Sequence, residues 1–295
     1  MVALPARVAR PPEPESRLLA GVDGHSLRAD FWPGTQSPTP PRPLMFAHGF
    51  GQSRLSWTSA ASQMAELGHP CWSLDGRGHG ESAWNPEQAP YTIDQFIGDA
   101  AHVARSQAKP PIWIGASMGG LLGIAVGALN PELLHALVLV DVTPRWEEAG
   151  VNRIMDFMRA HPNGFASVDE AQTEVARYLP HRTQRAEPDR LRRMLVPMAN
   201  GRLRWHWDPR LLEDIGRSGS TEMARLSDAA RALKLPVLLI SGGRSDVVSR
   251  QTIEEFQFLV PHAEHRVVDD ATHMVVGDDN QTFTYHLADF IKRHA

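Results

Sequence analysis

A serine framed by glycines is the residue of this sequence best suited to act as a nucleophile. Residues 115–119 read Gly-Ala-Ser-Met-Gly, a G-x-S-x-G pattern centred on Ser117. The apolar run 111–116 predicts a strand, and residues 118–129 predict a helix. At a strand-to-helix junction this pattern forces a strained turn that lifts the serine hydroxyl clear of the sheet. The helix N-terminus that follows favours developing negative charge. We therefore predict that Ser117 is a nucleophile, the alternative being a glycine-rich packing turn.

A serine hydroxyl needs a neighbouring base to attack at neutral pH. Of the 14 histidines, His273 is the best placed, because it follows the last predicted strand on a loop before the final helix. Such a base needs a carboxylate on its other ring nitrogen. Asp246 and Asp141 both follow predicted strands, at 236–240 and 136–140. We expect Asp246 to be the partner, because its strand should neighbour the His273 loop, with Asp141 as the alternative.

A second glycine-rich turn could complete this site. Residues 48–51 read His-Gly-Phe-Gly, directly after a predicted strand at 44–47. Such a turn can aim the backbone N–H of Phe50 into the site, and the N–H of Met118 would be a second donor. Two donors of this kind can hold the oxyanion of a tetrahedral intermediate, each contributing about 3 kcal/mol. We expect His48 itself only to tie the turn together.

Short apolar runs that alternate with helical patterns must position these residues. Two strands flank a hairpin signal at Asp23-Gly24, and six further strands alternate with helices. This order predicts a mostly parallel eight-stranded sheet with helices on both faces. In such sheets the working residues gather at the carboxyl ends of the strands. The glycine-rich run at 75–82 lacks the lysine of a phosphate-binding loop, so we interpret it as a structural turn beside the site.

Composition excludes several other classes of protein. The chain has 295 residues, 42% of them apolar, and a net charge of −4, which gives no electrostatic argument for binding nucleic acid or anionic membranes. Residues 110–131 carry no charge, but their pattern predicts a buried strand and helix rather than a membrane span. Residues 1–14 lack the apolar segment of a signal peptide and predict a tail.

The metal-binding and redox residues are sparse. Cys71 is the only cysteine, which excludes an intrachain disulfide and a cysteine-based zinc site. His262 and His265 have no third ligand beside them, so we expect no metal. A lone cysteine agrees with a reducing compartment, and together with the absence of a signal peptide it favours the cytoplasm.

The order Ser, Asp, His, with HGFG and then DGRGHGES ahead of the serine, resembles the α/β-hydrolase family from about Arg17 onward. The chain is similar to the serine branch that inserts a helical cap after the sixth strand. That branch includes small bacterial esterases, cofactor-free peroxidases and carbon–carbon bond hydrolases. Dehalogenases and epoxide hydrolases of the family carry Asp where Ser117 stands, so we set those reactions aside. The resemblance implies no cofactor and these site residues: Ser117 as nucleophile, Asp246 as acid, His273 as base, and Phe50 and Met118 as oxyanion donors.

The resemblance also divides the chain into a core, at 1–143 and 218–295, and a cap at 144–217. Some apolar cap residues should line a pocket over the nucleophile, although the cap's own core is the alternative for each. Our candidate substrate contacts are Trp146, Trp205 and Trp207. A set of cap arginines should form a solvated face, or else supply one or two ligands for a substrate carboxylate. These arginines are Arg182, Arg185, Arg190, Arg192, Arg193, Arg202 and Arg204.

These features predict a cytoplasmic serine carboxylesterase that cleaves small to medium esters through an acyl-enzyme. Its partner would be a small-molecule ester, without nucleic acid, membrane or cofactor, and a homodimer is compatible with this prediction. One alternative is a carbon–carbon bond hydrolase of ring-cleavage diketone acids. The Ser-Met-Gly-Gly run at 117–120 also occurs in that group, which usually has Asn where Ala116 stands. The other alternative is a non-catalytic hydrolase-fold receptor, which the retention of every catalytic part disfavours.

Overall fold

The computed structural model describes residues 13–34, 41–180, 188–215, 219–278 and 280–295. Most of the predicted N-terminal tail lies outside the described residues. The cap arginines Arg182 and Arg185 and the predicted cap boundary at residue 217 lie outside them as well.

The strands of the described residues are β1 (Glu15–Ala20), β2 (Ser26–Trp32), β3 (Leu44–Ala47), β4 (Cys71–Leu74), β5 (Ile112–Ala116), β6 (Ala136–Val140), β7 (Leu195–Pro197), β8 (Leu203–Trp205), β9 (Val237–Gly242) and β10 (Glu264–Val268). Eight of them form one mixed sheet in the order β1-β2-β4-β3-β5-β6-β9-β10, and β7 and β8 pair separately. The strand β2 is antiparallel to β1 and β4, and the other neighbours in the large sheet are parallel. The predicted eight-stranded, mostly parallel sheet is confirmed.

Helices cover both faces of the large sheet. The helix at Ile93–Arg105 begins with a capping box, in which Thr92 and Gln95 each accept a hydrogen bond from the other's backbone N–H. The helices are α1 (Thr58–Glu66), α2 (Ile93–Arg105), α3 (Met118–Leu129), α4 (Glu148–Arg159), α5 (Val168–Tyr178), α6 (Pro188–Arg192), α7 (Leu211–Asp214), α8 (Gly219–Ala232), α9 (Arg250–Leu259), α10 (Val275–Asp278) and α11 (Asn280–His294).

The central strands are apolar throughout because both of their faces are buried. All five residues of β6 are buried, and they alternate between two hydrophobic clusters. Leu137 and Leu139 pack toward α2, α3 and α8, whereas Ala136, Val138 and Val140 pack toward α1 and α11. The uncharged stretch at 110–131 forms β5 and α3. In the part of the chain that the structure describes, no helix is long and apolar enough to cross a membrane.

The segment between β6 and β9 that was predicted to be a cap, and that we call the cap, contains α4 to α7. It also contains a two-stranded antiparallel sheet, β7 with β8, in which Leu195 pairs with Trp205. The resemblance implied a helical cap, and these two strands depart from that expectation. Each strand has only three residues, too few for an alternating pattern to be recognised in the sequence.

A polar network around Asp208 fixes the cap to the core. The Tyr91 hydroxyl donates to the buried Asp208 carboxylate at 2.8 Å, and the Asp208 N–H donates to the Gly78 carbonyl at 2.8 Å. Arg210 donates to the same carboxylate at 2.6 Å and to the Asn85 carbonyl at 2.7 Å. The cap is therefore anchored beside the glycine-rich residues 75–82.

Candidate active site

Ser117 occupies a strained turn between β5 and α3. Its backbone has φ +47° and ψ −120°, a conformation that costs a non-glycine residue on the order of 1–3 kcal/mol. Hydrogen bonds hold it there, since the Ser117 N–H donates to the Val140 carbonyl at 3.1 Å and the Gly120 N–H donates to the Ser117 carbonyl at 2.9 Å. The predicted strand–turn–helix setting of Ser117 is confirmed.

The glycines on either side of the serine are required by close backbone packing. A Cβ on Gly115 would overlap the carbonyl of Gly119, and a Cβ on Gly119 would overlap the carbonyl of Ala47. The turn therefore brings the start of α3 against the end of β3, where the His-Gly-Phe-Gly residues begin.

Residues 48–51, which we call the oxyanion turn, lie beside Ser117. A Cβ on Gly49 would stand 3.1 Å from the Cβ of Ser117. The N–H of Phe50 has no hydrogen-bond acceptor among the described residues, and the same holds for the N–H of Met118, the first residue of α3. Two unpartnered donors thus belong to the two turns that meet at Ser117.

His48 braces this turn, as expected. Its Nδ1–H donates to the Gly49 carbonyl at 2.8 Å, and its Nε2 accepts from the Gly76 N–H at 2.8 Å. Burial lowers the pKa of His48, which keeps the ring neutral and able to accept. Gln52 adds a second link, because it accepts from the Gly49 N–H at 3.4 Å and donates to the Met274 sulfur at 3.2 Å. The residue after His273 is therefore tied to the turn beside Ser117.

The glycine-rich run at 75–82, which we call the DGRG loop, folds around a buried carboxylate. Asp75 accepts hydrogen bonds from the backbone N–H groups of Arg54 and Glu81 and pairs with the Arg54 guanidinium at 2.5 Å. A Cβ on Gly80, which has φ +56°, would overlap that carboxylate. These contacts agree with the structural role predicted for the loop.

His273 is paired with Asp141 at the carboxyl end of β6. The His273 Nδ1–H donates to Asp141 Oδ2 at 2.7 Å, and the carboxylate is fully buried. Asp141 also accepts from the Gly242 N–H at 2.7 Å and from the Ser245 hydroxyl at 2.5 Å. Three donors thus compensate the buried charge and fix the carboxylate in one orientation.

The register of the sheet brings this pair to Ser117. The strands β5 and β6 are parallel neighbours in which Ala116 pairs with Val140. Ser117 and Asp141 are the next residues of their respective strands, so they emerge side by side at the same edge of the sheet. Ser117, Asp141 and the His273 that bonds to it therefore lie at the carboxyl ends of the parallel strands.

The expected pairing of His273 with Asp246 is wrong. Asp246 is about one-third exposed, and it accepts from the Arg153 side chain in α4 at 2.9 Å. The turn after β9 directs Ser245 toward Asp141. The next residue, Asp246, faces the cap, and its carbonyl lies so close to Gly150 of α4 that a Cβ on Gly150 would overlap it. The sequence analysis did not identify Ser245 as a residue of this site. Its position next to Asp246 was the one feature of the sequence that could have indicated it.

The three cap tryptophans do not share one environment. Trp205 and Trp207 are buried, stack with ring centroids 5.3 Å apart, and belong to the hydrophobic cluster that includes Phe50 and Met118. Trp146 is half-buried and packs against the cluster beneath α2, α3 and α8. Only Trp205 and Trp207 therefore lie in the cluster that reaches the oxyanion turn.

Trp205→Ala is expected to lower the free energy of unfolding by about 3–5 kcal/mol, the usual cost of removing a large buried aromatic side chain. Besides stacking on Trp207, Trp205 packs edge-on against Phe165 at 5.0 Å, so its loss leaves a cavity in the cap. Urea unfolding measures the change. Phe258→Ala removes an aromatic ring that is 82% exposed and should cost less than about 0.5 kcal/mol. Equal effects for the two variants would contradict the cap-core role of Trp205.

A buried histidine of the cap makes folding stability pH-dependent. His206 Nδ1 accepts from the Gly80 N–H at 2.8 Å, and burial lowers the pKa of His206 to about 4. In the unfolded chain a histidine titrates near pH 6.5, so between these values the unfolded state binds more protons. We expect the free energy of unfolding to be highest above about pH 6.5 and to fall toward pH 4, by up to about 3 kcal/mol from His206 alone.

The matched variant for this pH dependence is His206→Asn, whose amide oxygen can accept from Gly80 but does not titrate. Urea unfolding at pH 7.5, 6.0 and 5.0 should show a smaller loss of stability on acidification in the variant than in the wild type. The same pH slope in both proteins would show that His206 is not the titrating group.

Two of the candidate cap arginines, Arg202 and Arg204, have partners in the protein. Arg202 donates to the carbonyls of Asn163 and Gly164 at 2.9 and 2.7 Å, and the Arg204 guanidinium lies 4.4 Å from the centre of the Trp84 ring. Within the described ranges, no group of three or more His, Cys, Asp or Glu side chains could hold a metal ion.

Comparison with known proteins places the chain among enzymes of this architecture. A family model described as alpha/beta hydrolase fold matches residues 42–279, which is most of the chain. The chain belongs to the α/β-hydrolase family. The predicted family membership is thereby confirmed.

Two relatives of this α/β-hydrolase carry enzyme names. An esterase of Mycobacterium tuberculosis, Rv0045c, is 30% identical over 272 residues, which cover 87% of this chain and 83% of that protein. A 3-hydroxybutyrate-oligomer hydrolase of Cupriavidus necator is 27% identical over 251 residues, which cover 80% and 84%. Among solved structures, E-2-(acetamidomethylene)succinate hydrolase superposes with a TM-score of 0.79 at 22% identity, covering 95% of this chain and 99% of that one. The relatives support hydrolase activity, and the structural neighbour supports the fold.

Proposed function

We propose that this α/β-hydrolase is a serine carboxylesterase that uses Ser117 as nucleophile, His273 as base and Asp141 as acid. The observation that carries the proposal is the 2.7 Å bond between His273 and a fully buried Asp141, at the sheet edge where Ser117 stands in its strained turn. A buried carboxylate orients the ring and stabilises the imidazolium that forms when histidine takes the proton.

The reaction would proceed through an acyl-enzyme. His273 Nε2 takes the Ser117 proton as the hydroxyl oxygen attacks the ester carbonyl, and then returns it to the leaving alcohol. The oxyanion of the tetrahedral intermediate would accept from the N–H groups of Phe50 and Met118. Water, activated by the same histidine, hydrolyses the acyl-enzyme and restores Ser117.

Ester hydrolysis is better supported than carbon–carbon bond cleavage of a diketone acid. The second reaction would need a cap cation to bind the substrate carboxylate, and two of the seven candidate arginines are engaged elsewhere, since Arg202 donates to backbone carbonyls and Arg204 lies against Trp84. The two curated relatives are named as an esterase and as a hydrolase of 3-hydroxybutyrate oligomers, which supports an ester as the scissile group. We propose a small to medium ester with apolar groups, because the hydrophobic cluster of the cap reaches Phe50 and Met118.

The proposal also covers the compartment in which the protein works and its oligomeric state. Cys71 is the single cysteine, which agrees with a reducing compartment, and we propose the cytoplasm. A homodimer stays a prediction.

The test combines covalent labelling with turnover. A fluorophosphonate should label Ser117, identified by mass spectrometry of the digested protein, and should abolish hydrolysis of p-nitrophenyl esters in proportion to labelling. A panel of p-nitrophenyl esters, from acetate to longer acyl chains, then measures the largest acyl group that the site accepts. Absence of both labelling and turnover would contradict the proposal and favour the non-catalytic receptor.

A further inference from the structure

Two loops beside Ser117 are joined by reciprocal histidine bonds. His48 of the oxyanion turn accepts from the Gly76 N–H of the DGRG loop at 2.8 Å. In return, His79 of the DGRG loop accepts from the Gly51 N–H of the oxyanion turn at 3.1 Å. Each loop therefore supplies one imidazole acceptor to a glycine N–H of the other.

Hydrogen bonds from His48 and to His79 hold the two peptide planes that flank Phe50. A trans peptide holds the carbonyl of one residue and the N–H of the next in one plane. The Gly49 carbonyl, which accepts from His48, therefore sets the plane that contains the Phe50 N–H. The Gly51 N–H, which donates to His79, sets the plane that contains the Phe50 carbonyl. The first plane contains the Phe50 N–H, and the second restrains the rotations about the Phe50 backbone bonds that would turn that N–H away.

The geometry of His79 suits it for this task. The side chain is fully buried, and its Nδ1–H donates to the Arg77 carbonyl at 3.0 Å, so that Nε2 is the bare acceptor. Its ring also meets the Phe50 ring edge-on, with centroids 5.6 Å apart. Burial lowers the pKa of His79 well below its usual range, so the acceptor persists at neutral pH.

The backbone conformation of Gly51 and the packing around it favour glycine at this position. It has φ +74°, and a Cβ there would stand 2.8 Å from the Met158 methyl of α4. The cap thus covers the oxyanion turn at Gly51 from above, while His79 holds the Gly51 N–H from within the core.

We propose that His79 is a positioning residue for the oxyanion donor Phe50, acting through the peptide plane of Gly51. The proposal rests on the proposed function, since it concerns the oxyanion hole of that reaction. It assigns a role to a histidine that does not touch the reacting atoms.

The test compares His79→Leu, which removes the acceptor, with His79→Gln, whose Oε1 can accept near the position of Nε2. The readouts are kcat and KM for p-nitrophenyl butyrate and the affinity for an aryl trifluoromethyl ketone, whose hemiketal oxyanion requires the same donors. Removing one oxyanion donor costs about 10²–10³ in kcat, so misplacing one should cost about 10- to 100-fold. We expect this loss in kcat for His79→Leu, a KM within about threefold, and a comparable loss of ketone affinity.

His79→Gln should recover a large part of both losses, whereas a merely structural role would not distinguish Gln from Leu in this way. His69→Leu is the matched control, because His69 is half-buried, bonds to a backbone carbonyl and lies just before β4, at the opposite edge of the sheet. It should leave kcat and ketone affinity within about twofold. The proposal is overturned if His79→Leu folds with unchanged kcat and ketone affinity, or if Gln restores nothing.

A measurement on the unaltered protein serves if His79→Leu does not fold. Nitrogen-15 NMR of the histidine rings at pH 7.5 should show His79 neutral, with Nδ1 protonated and Nε2 bare. A protonated Nε2 could not accept from Gly51 and would overturn the proposal. The proposed function is tested separately, because its failure would appear as absent turnover and labelling in the wild-type protein, before any His79 variant is compared.

Discussion

Ser117→Ala is expected to abolish ester hydrolysis while the protein stays folded. The substitution removes the attacking oxygen but keeps the Cβ, so the strained turn at φ +47° and its backbone hydrogen bonds to Val140 and Gly120 are retained. Loss of the nucleophile from such a triad typically lowers kcat by on the order of 10⁶. The measurement is the steady-state rate on p-nitrophenyl butyrate at high enzyme concentration, with circular dichroism and thermal unfolding to verify the fold.

Ser59→Ala provides the matched control, because Ser59 is an exposed serine on α1. It should keep the wild-type rate, and it should keep the fluorophosphonate label that Ser117→Ala loses. A Ser117→Ala protein that hydrolyses the ester at an undiminished rate would show that another group attacks the substrate.

The parts of the fold and site that local sequence determines could be predicted. The strand β6 is apolar at every position because both of its faces are buried, and this made it recognisable without partners. Ser117 was identifiable because the G-x-S-x-G turn packs against itself and against β3, with glycines that no other residue can replace. His273 followed from its place after the last strand.

The carboxylate that bonds to His273 could not be chosen from the sequence, because Asp141 and Asp246 follow neighbouring strands of the same sheet. The choice depends on side-chain direction after each strand ends. Asp141 has φ +49°, which directs its carboxylate along the sheet edge to His273, whereas Asp246 comes after a turn that faces α4. The environments of the cap tryptophans likewise depend on packing between distant segments, and no local pattern separates Trp146 from Trp205.

Asp141→Asn is expected to lower kcat by about 10²–10⁴, since an amide in place of the acid of a serine protease costs about 10⁴. The carboxylate accepts from His273 and Ser245 on Oδ2 and from the Gly242 N–H on Oδ1. An asparagine must place its NH₂ group on one of these two sides. If it faces His273, it imposes the wrong tautomer and cannot stabilise the imidazolium. If it faces Gly242, two donors oppose each other in a buried site, and that orientation costs stability as well.

Asp246→Asn is the matched comparison, because it makes the same chemical change on the neighbouring strand. It weakens only the partly exposed pair with Arg153, and exposed ion pairs contribute about 0–1 kcal/mol. We therefore expect kcat to fall less than about tenfold and thermal stability to change little. Both variants should be compared at saturating ester, with circular dichroism spectra that match the wild type. If Asp246→Asn proves the crippled enzyme and Asp141→Asn stays active, Asp141 supports His273 only structurally, and the carboxylate that assists catalysis is the one that pairs with Arg153.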